Sequence, residues 1–552
     1  METEARYETQ RIDHLGIVAG ICREISLVEQ IDGIVGESER KVSCGQSVMA
    51  LVLNALGFTG RALYLMPDYL GNKPVDVLID SRLAAGDFND DTLGRSLEDL
   101  YEVGVTEVFA QVAAHALEVY GIQHRFVHLD SSSFHLHGAY DVEEPEQGVI
   151  EVTHGYSRDQ RPDLKQVVVQ MITSQASALP VWLEVLSGNS SDRATFATTA
   201  EAYCAQLVGD ESVVLVMDSA GYSEENIQRL REVQWVIRAP ETLARVKRLV
   251  RITEPAEMTA LEDGYRGQEV LSDYGGVPQR WLVVFSEAAY ARELKSLERR
   301  QARELEKAEK AWRKLCREPF NCQEDAEAAG KGFNHCWRYH RVQAEVQPVK
   351  RYARRGRPAA HDEPMIVGYT LQGVVAPYEP GLAEARSTLG KFVIATSVLD
   401  PEALSAQALL AHYKDQGVSV ERGFRFLKDP LFFAHSLFLK KPERIMALLM
   451  VMGLALLIYA LAERKLRQSL AEEGQTVPDQ TGKPTATPTL RWIFQQFEGI
   501  DLLLVRQQGQ IVFKQVLNLR PVHHQIIHLL GPQIAYCYSL GPWGAECGIS
   551  QH

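Results

Sequence analysis

Two aspartates follow runs of apolar residues that predict buried strands. Asp130 comes after Arg125–Leu129, and Asp218 comes after Ser212–Met217. We expect each strand to end at its aspartate, where a short run of small, polar residues begins. Sites form at the carboxyl ends of strands in open α/β sheets, and two carboxylates there can bind divalent cations. The alternative is that either aspartate only caps the turn that follows its strand.

A third acid lies on a predicted helix far along the chain. A helix from Val418 places Glu421, Arg425 and Lys428 on one face, at positions i, i+4 and i+7. These charges are compatible with a surface salt bridge, which stabilises a fold little. A metal-binding carboxylate beside two phosphate-binding cations produces the same pattern. The spacing leaves both interpretations open.

The elements around these residues predict a mixed α/β sheet. Several strand patterns come first, at Arg125–Leu129, Gln166–Thr173 and Leu179–Leu186, and strand–helix–strand units follow from Ser212. Residues 1 to about 120 have the periodicity of short helices instead. Within them, Ser43 and Gln46 form a capping-box pattern at the start of a helix.

Four motifs together resemble those of DDE transposases from bacterial insertion sequences. HLDSSSFHLHG (His128–Gly138) resembles the first-aspartate motif, and VMDSAGYSEEN (Val216–Asn226) resembles the second. LEVLSGNSSD (Leu183–Asp192) resembles the strand and turn between them, and ERGFRFLKDP (Glu421–Pro430) resembles the third motif. The resemblance is to the branch whose RNase H-like catalytic core is interrupted by a β-rich insertion.

The third motif keeps most of the family's spacing. Six residues separate Glu421 from Lys428, and Tyr413 stands upstream. The family often has an Arg between the Tyr and the Glu. Here the corresponding stretch offers Gln416, and its gap to Glu421 is one residue longer.

The resemblance implies a metal-dependent transposase that cuts the ends of its element and joins them to target DNA. It implies two Mg²⁺ ions, for which Mn²⁺ substitutes, with Asp130 bridging them and Asp218 and Glu421 each completing one side. Arg425, Lys428 and Tyr413 are expected to contact DNA. The implied partners are the terminal inverted repeats, the target DNA and a second copy of the chain. The rival interpretations are a DNA-binding descendant that no longer cuts, and another RNase H-like nuclease.

The expected architecture is an RNase H-like mixed-sheet α/β core with a β-rich and helical insertion, preceded by a helical domain. Residues 1–121 form the helical domain, which is expected to bind the terminal repeats. Residues 122–240 and 398–470 form the two parts of the core, and residues 241–397 form the insertion. Residues 471–552 are a linker and a C-terminal tail, and the polar stretch 475–488 is the linker itself.

The basic residues are concentrated locally in a chain whose net charge is −14. The segment Arg338–Arg357 carries seven Lys or Arg and one acid, and its Arg351, Arg354 and Arg355 are candidate DNA-backbone contacts. A long charged helix is predicted over Glu293–Glu318, with six acids and nine Lys or Arg. Its pattern favours a solvated helix with internal ion pairs.

One apolar segment raises the question of a membrane. Ile445–Ala462 has eighteen residues without a charge, the lower edge of what a spanning helix needs. A buried core helix is the favoured interpretation, and a membrane helix or a partner interface are the alternatives. The eight cysteines form no CxxC pair and no secretory leader is recognisable, so we expect reduced thiols and a cytoplasmic, nucleoid-associated protein without a membrane anchor.

The remaining candidates have weaker patterns. Three histidines could ligate a transition metal, and a second group superficially suggests zinc, although its spacing matches no standard site. Any of three tryptophans could stack on an unpaired base, with core packing as the alternative. No phosphate-binding GxxxxGK[ST] loop is present. These candidates are His128, His135 and His137; Cys316, Cys322, His335, Cys336 and His340; and Trp182, Trp312 and Trp337.

Overall fold

A computed structural model describes most of the chain in two compact units, Met1–Ile237 with Ala411–His552, and Arg238–Leu410. The described residues are 5–36, 38–58, 61–138, 140, 148–157, 160–175, 178–207, 213–352, 363–429 and 439–539, with the backbone alone at 416–420 and 539.

The first unit begins with a strand and a set of helices. The predicted capping box is confirmed, because the Ser43 hydroxyl accepts a hydrogen bond from the Gln46 amide at 3.1 Å and the Gln46 side chain accepts one from the Ser43 amide at 3.0 Å. The helical character predicted for this region is confirmed. The elements are β1 (Arg6–Arg11), α1 (Leu15–Glu24), α2 (Leu27–Val35), α3 (Cys44–Leu56), α4 (Met66–Leu70), α5 (Val75–Leu78), α6 (Asp90–Glu102) and α7 (Val105–Val119).

A mixed sheet follows in the same unit. Its strands lie in the order β4-β3-β2-β5-β6, in which β2, β3 and β4 are antiparallel neighbours while β5 and β6 run parallel to β2. This is the mixed α/β core predicted from the strand pattern. The elements are β2 (Phe126–Leu136), β3 (Lys165–Ser174), β4 (Leu179–Ser187), α8 (Asp192–Gln206), β5 (Val214–Met217), α9 (Glu224–Arg229) and β6 (Gln234–Ala239).

The second unit combines a four-stranded antiparallel arrangement with long helices and a separate hairpin. Its strands lie in the order β14-β9-β8-β7, and β11 pairs with β12 as a two-stranded ribbon. Trp312, Phe333 and Leu371 belong to one of its apolar cores. The elements are α10 (Ala244–Ile252), β7 (Thr259–Ala260), β8 (Tyr265–Ser272), β9 (Gln279–Ser286), α11 (Glu287–Leu315), α12 (Gln323–His335), β10 (His340–Val342), β11 (Glu345–Arg351), β12 (Met365–Gln372), β13 (Val375–Pro377), α13 (Glu379–Ser387) and β14 (Lys391–Thr396).

The chain then completes the first unit. In place of a linker over 475–488, the structure has a small hairpin, and the Trp492 indole donates a hydrogen bond to the Pro478 carbonyl at 2.8 Å. Strand β17 pairs with β1 and β18, so the two ends of the chain share a sheet. The elements are α14 (Ala406–Leu427), α15 (Pro442–Glu472), β15 (Val477–Pro478), β16 (Pro484–Thr485), α16 (Leu490–Gln496), β17 (Asp501–Gln507), β18 (Gln510–Leu517), α17 (Pro521–Leu530) and α18 (Pro532–Ser539).

Helix α15 contains the apolar segment that raised the question of a membrane. In length and composition it could cross one, but 83% of its most apolar window is buried inside the protein. It packs against α3, α6, α7 and β4. Gly453 permits this packing, because a Cβ atom there would lie 2.5 Å from Leu183 Cδ1 and 3.0 Å from Phe109 Cε2. The favoured interpretation of a core helix is confirmed.

Candidate active site

The two aspartates occupy neighbouring positions in the sheet of the first unit. Strands β2 and β5 pair in parallel about 5 Å apart, with Leu129 opposite Met217, so the next residues, Asp130 and Asp218, follow at the same level of the sheet. The prediction that both strands end there is wrong for Asp130. Strand β2 continues through the serine run to Leu136, because those serines pair with β3.

Each aspartate accepts a local backbone hydrogen bond. Asp130 Oδ1 accepts one from the Ser131 amide at 2.8 Å, and Asp218 Oδ1 accepts one from the Ala220 amide at 2.8 Å. Asp218 therefore caps the turn after β5, as the alternative interpretation proposed. Capping and metal binding are compatible in principle, since a carboxylate offers about four acceptor positions.

Helix α14 lies along one face of β2, as two ring contacts indicate. The His412 ring stacks on Phe126 with the centroids 3.4 Å apart, and Lys428 Nζ lies 5.5 Å from the centroid of Phe134. Side chains alternate along a strand, so Phe126, Asp130 and Phe134 share a face. The helix covers the face to which Asp130 points.

The lengths of the two elements place Glu421 along the strand. Eight residues of strand from Phe126 to Phe134 span about 26 Å, and sixteen residues of helix from His412 to Lys428 span about 24 Å. The two elements therefore run side by side in the same direction. The midpoint of the strand segment is Asp130, and the midpoint of the helix segment is one residue before Glu421.

A contact on the third strand gives the same placement independently. Met171 of β3 is the register partner of Asp130. A Cβ atom at Gly423 would lie 2.7 Å from the Met171 methyl carbon, so α14 approaches β3 closely two residues after Glu421. The structure thus brings Asp130, Asp218 and the segment that carries Glu421 to one region of the sheet.

The donor chemistry of this region suits a hard cation. Mg²⁺ takes oxygen ligands, and three carboxylates supply them. Within the described residues, however, no group of three or more His, Cys, Asp or Glu side chains is close enough to hold a metal ion. Glu421 is exposed on α14, so the described structure brings the three acids to one region without forming a finished metal cluster.

The other predicted contact residues fall in both units. Tyr413 is half-buried on α14, and Arg425 is exposed one turn after Glu421. Arg351 is exposed at the end of β11 in the second unit. Arg354 and Arg355 lie outside the described residues, and so does the side chain of Gln416.

Comparison with known proteins identifies the family. Residues 122–458 match the model of the transposase DDE domain. The chain belongs to the DDE transposase family. Residues 7–114 match a domain of unknown function, DUF4277. The curated proteins contain no match.

Among solved structures, the chain is similar to the piggyBac transposase in a synaptic complex with hairpin DNA, determined by cryo-electron microscopy. The identity is 8% and the TM-score is 0.37, over 89% of this chain and 82% of that one. The likeness is too distant to assign residues.

The alternative metal sites are not assembled in the described structure. His128 and His135 lie on β2 at positions of opposite parity, so their side chains point to opposite faces. His128 is fully buried, and that burial lowers its pKa to about 4. Neither the histidines nor the cysteines and histidines of the second unit form a metal-binding group among the described residues.

Two of the three tryptophans that could stack on a base are buried in the protein core. Trp182 and Trp312 are buried, and the Trp312 indole donates a hydrogen bond to the Gly373 carbonyl at 2.8 Å. Trp337 is half-buried and packs against the core around Trp312 and Phe333. Core packing accounts for all three.

The sequence patterns did not single out two acids that contact residues of the transposase motifs in the structure. Asp192 begins α8 and accepts a hydrogen bond from the Ser131 hydroxyl, next to Asp130. Its position at the end of the LEVLSGNSSD motif could have marked it. Glu463 of α15 is buried and pairs with Arg422 of α14 and Arg467, while its Oε2 accepts a hydrogen bond from the Leu490 amide at 2.9 Å.

Proposed function

We propose that this member of the DDE transposase family cuts DNA at the ends of its own insertion sequence and joins those ends to target DNA. The proposal assigns Asp130, Asp218 and Glu421 as the catalytic and metal-binding carboxylates. The observation that supports it is the placement of α14 along β2, which brings the helical segment containing Glu421 to the same region of the sheet as the two aspartates. The family membership supports the same reaction class.

The proposed roles follow from the position of each carboxylate. Asp130 lies on the strand that β5 and α14 both flank, so we assign it as the ligand shared by two ions. Asp218 and Glu421 each complete one side. Bound Mg²⁺, or Mn²⁺ in its place, would activate the attacking oxygen and stabilise the leaving oxygen.

Cations and a tyrosine on α14 are assigned to DNA contact. The Lys428 ammonium lies over the Phe134 ring, seven residues after Glu421, and Arg425 is exposed between Glu421 and Lys428. Ammonium and guanidinium groups there would hold phosphates next to the scissile bond. Tyr413 lies two turns before Glu421 on the same helix and is assigned to the same DNA strand.

Surfaces outside the site are assigned to the rest of the DNA. Residues 1–121 would bind the terminal repeats, and Arg351, Arg354 and Arg355 would contact the backbone from the insertion, 241–397. Residues 122–240 and 398–470 would form the core, with 471–552 as the tail. We propose a homodimer on paired ends, acting in the cytoplasm on the nucleoid.

The test uses the DNA that flanks the coding sequence on both sides, which should contain the ends of the element. A plasmid carrying this DNA is incubated with purified protein, Mg²⁺ and a second plasmid as target. We expect excised ends joined to the target. Asp218→Asn should abolish both cutting and joining while DNA binding remains. Asp163→Asn, which changes an exposed acid before β3, should leave cutting, joining and DNA binding unchanged.

The outcomes separate the rival functions. Cutting without joining would favour another RNase H-like nuclease. Binding of the flanking DNA without cutting by the unaltered protein would favour a DNA-binding descendant. Equal activity of the unaltered protein and Asp218→Asn would reject the assigned mechanism.

A further inference from the structure

Helix α11 in the second unit carries most of its basic side chains on one side, away from two acids that face the interior of the unit. Its 29 residues carry nine Lys or Arg and six Glu. Such a composition favours a solvated helix laced with internal ion pairs. Among the described ion pairs, however, Glu309–Arg313 at 3.2 Å is the one that joins two residues of this helix.

Two of the acids are used to hold the unit together. Glu293 accepts a hydrogen bond from the Gly390 amide at 2.8 Å. Glu304 accepts one from the Tyr339 amide at 2.7 Å and lies 3.0 Å from His340 Nδ1. These acids face the same side as the buried Leu297 of the helix, so their charge is turned away from solvent.

The cations occupy the opposite side. At about 100° per residue, Arg292, Arg299, Arg303 and Lys310 project within about 40° of one another, and each is exposed. Glu306 is the acid that shares this side. We name the whole set the basic stripe: Arg292, Lys295, Arg299, Arg303, Lys310 and Lys314.

The stripe has the length and shape of a contact with a straight polyanion. From Arg292 to Lys314 the helix rises about 33 Å, and duplex DNA of that length has about ten base pairs. A shallow cavity of about 440 Å³ adjoins Arg292, Lys295 and Arg299 and is also lined by Ala288, Ala291 and Ser296. These small side chains leave room for a phosphate backbone to approach the cations.

We propose that the basic stripe is a docking surface for the backbone of duplex DNA outside the cleavage site. The inference rests on the proposed function, since it supposes that this chain acts on DNA. Because the whole chain carries a net charge of −14, its attraction to DNA must come from local surfaces of this kind. Contacts of this type fix position without reading sequence.

The experiment compares two triple variants of the full chain. The test variant is Arg292→Gln, Arg299→Gln and Arg303→Gln. The control is Arg245→Gln, Arg251→Gln and Arg386→Gln, which makes the same charge change in the same unit at arginines already paired with acids. Binding to a 40-base-pair duplex is measured across a range of salt concentrations, and thermal unfolding checks that both variants fold.

We expect the test variant to bind on the order of tenfold more weakly at moderate salt, with the log–log salt slope reduced by up to about three. The control should keep the slope of the unaltered protein. If the unaltered protein binds and both variants match it, the stripe is not a DNA surface and the proposed function is untouched. A change in oligomeric state without a change in DNA affinity would also overturn the inference.

Failure of the proposed function has a different signature. In that case the unaltered protein would not bind duplex DNA at any salt concentration, and the inference would fall with it. A folded test variant that loses affinity for plain duplex but still cuts pre-nicked flanking DNA at high protein concentration would support both.

Discussion

Asp130 and Asp218 lie side by side because two parallel strands bring them to the same level of one sheet. Their oxygens accept local amide hydrogen bonds, which hold the carboxylates at the backbone. Glu421 is different, since its position depends on how a separate helix lies on the sheet. Of the three carboxylates, it is the one whose contribution depends most on tertiary packing.

We predict that Glu421→Gln lowers the rate of DNA cleavage by at least about a hundredfold. Loss of a residue that only supports a metal ligand typically costs 10–100-fold, and loss of a direct ligand should cost more. The measurement is the cleavage rate of flanking DNA in Mg²⁺, with DNA affinity measured in parallel.

Asp415→Asn is the matched control on the same helix. Asp415 is exposed and accepts a hydrogen bond from the Gln175 side chain, so its change should leave the cleavage rate within a few-fold. Equal losses in the two variants would mean that the helix, rather than the Glu421 carboxylate, had been disturbed.

The residues of the candidate site could be named from the sequence, and their hydrogen-bond and ion-pair partners could not. The gap between Glu421 and Lys428 and the strand patterns before the two aspartates are local signals. The hydrogen bond from Ser131 to Asp192 and the pairing of Glu463 with Arg422 are not, because each joins residues that only the folded chain brings together.

In the proposed mechanism, helix α14 is the element that determines whether the three carboxylates can meet. It touches β2 near both ends of the segment from His412 to Lys428, and Gly423 allows its middle to approach Met171. A larger side chain at Gly423 must displace either Met171 or the helix itself. A shift of the helix would move Glu421, which lies two residues away.

We therefore predict that Gly423→Val lowers cleavage more than it lowers DNA binding. The added atoms would meet Met171 Cε and Leu456 Cδ2, the latter 3.2 Å from an ideal Cβ. Ala411→Val adds a similar branched side chain at an exposed position of the same helix and should have little effect. Normal cleavage by Gly423→Val would show that the approach of α14 to β3 does not position the site.

The N-terminal helices give an element-scale prediction about pH. His14 is buried, its Nε2 lies 2.7 Å from the Leu56 carbonyl oxygen, and its ring stacks on Phe494. Burial lowers its pKa to about 4 from the usual 6.5. The unfolded chain therefore binds a proton below pH 6.5 that the folded chain does not bind until about pH 4.

The stability associated with His14 is thus present above pH 6.5 and is lost as the pH falls towards 4, by up to roughly 3 kcal/mol. We predict that His14→Gln reduces the difference in unfolding free energy between pH 7 and pH 5. The exposed His524→Gln serves as control. Urea denaturation at the two pH values measures the effect, and an unchanged difference in His14→Gln would contradict it.

For the molecule as a whole, the sequence predicts individual helices and strands better than it predicts which distant strands pair. The mixed sheet and the apolar core helix follow from local periodicity. The pairing of β1 with β17 could not be predicted, because Arg6 and Arg506 are register partners separated by nearly the whole chain. The extension of β2 beyond Asp130 was missed because serines are weak strand signals, yet here β3 supplies their partners.

The burial of α15 leads to a prediction about fractionation. Since 83% of its most apolar window is covered by protein, little apolar surface is left for lipid. We predict that the expressed chain stays in the supernatant after high-speed centrifugation, while a membrane protein from the same extract pellets. A pellet that resists alkaline carbonate extraction would contradict this.

The central claim is that three carboxylates distant in sequence hold the same metal ions when DNA is bound. The most direct measurement is the anomalous diffraction of Mn²⁺ in crystals of the chain with a duplex from its flanking DNA. The account predicts manganese signal in contact with Asp130 and shared with Asp218 and Glu421. Manganese bound elsewhere, or these carboxylates held apart without metal in the DNA complex, would contradict it.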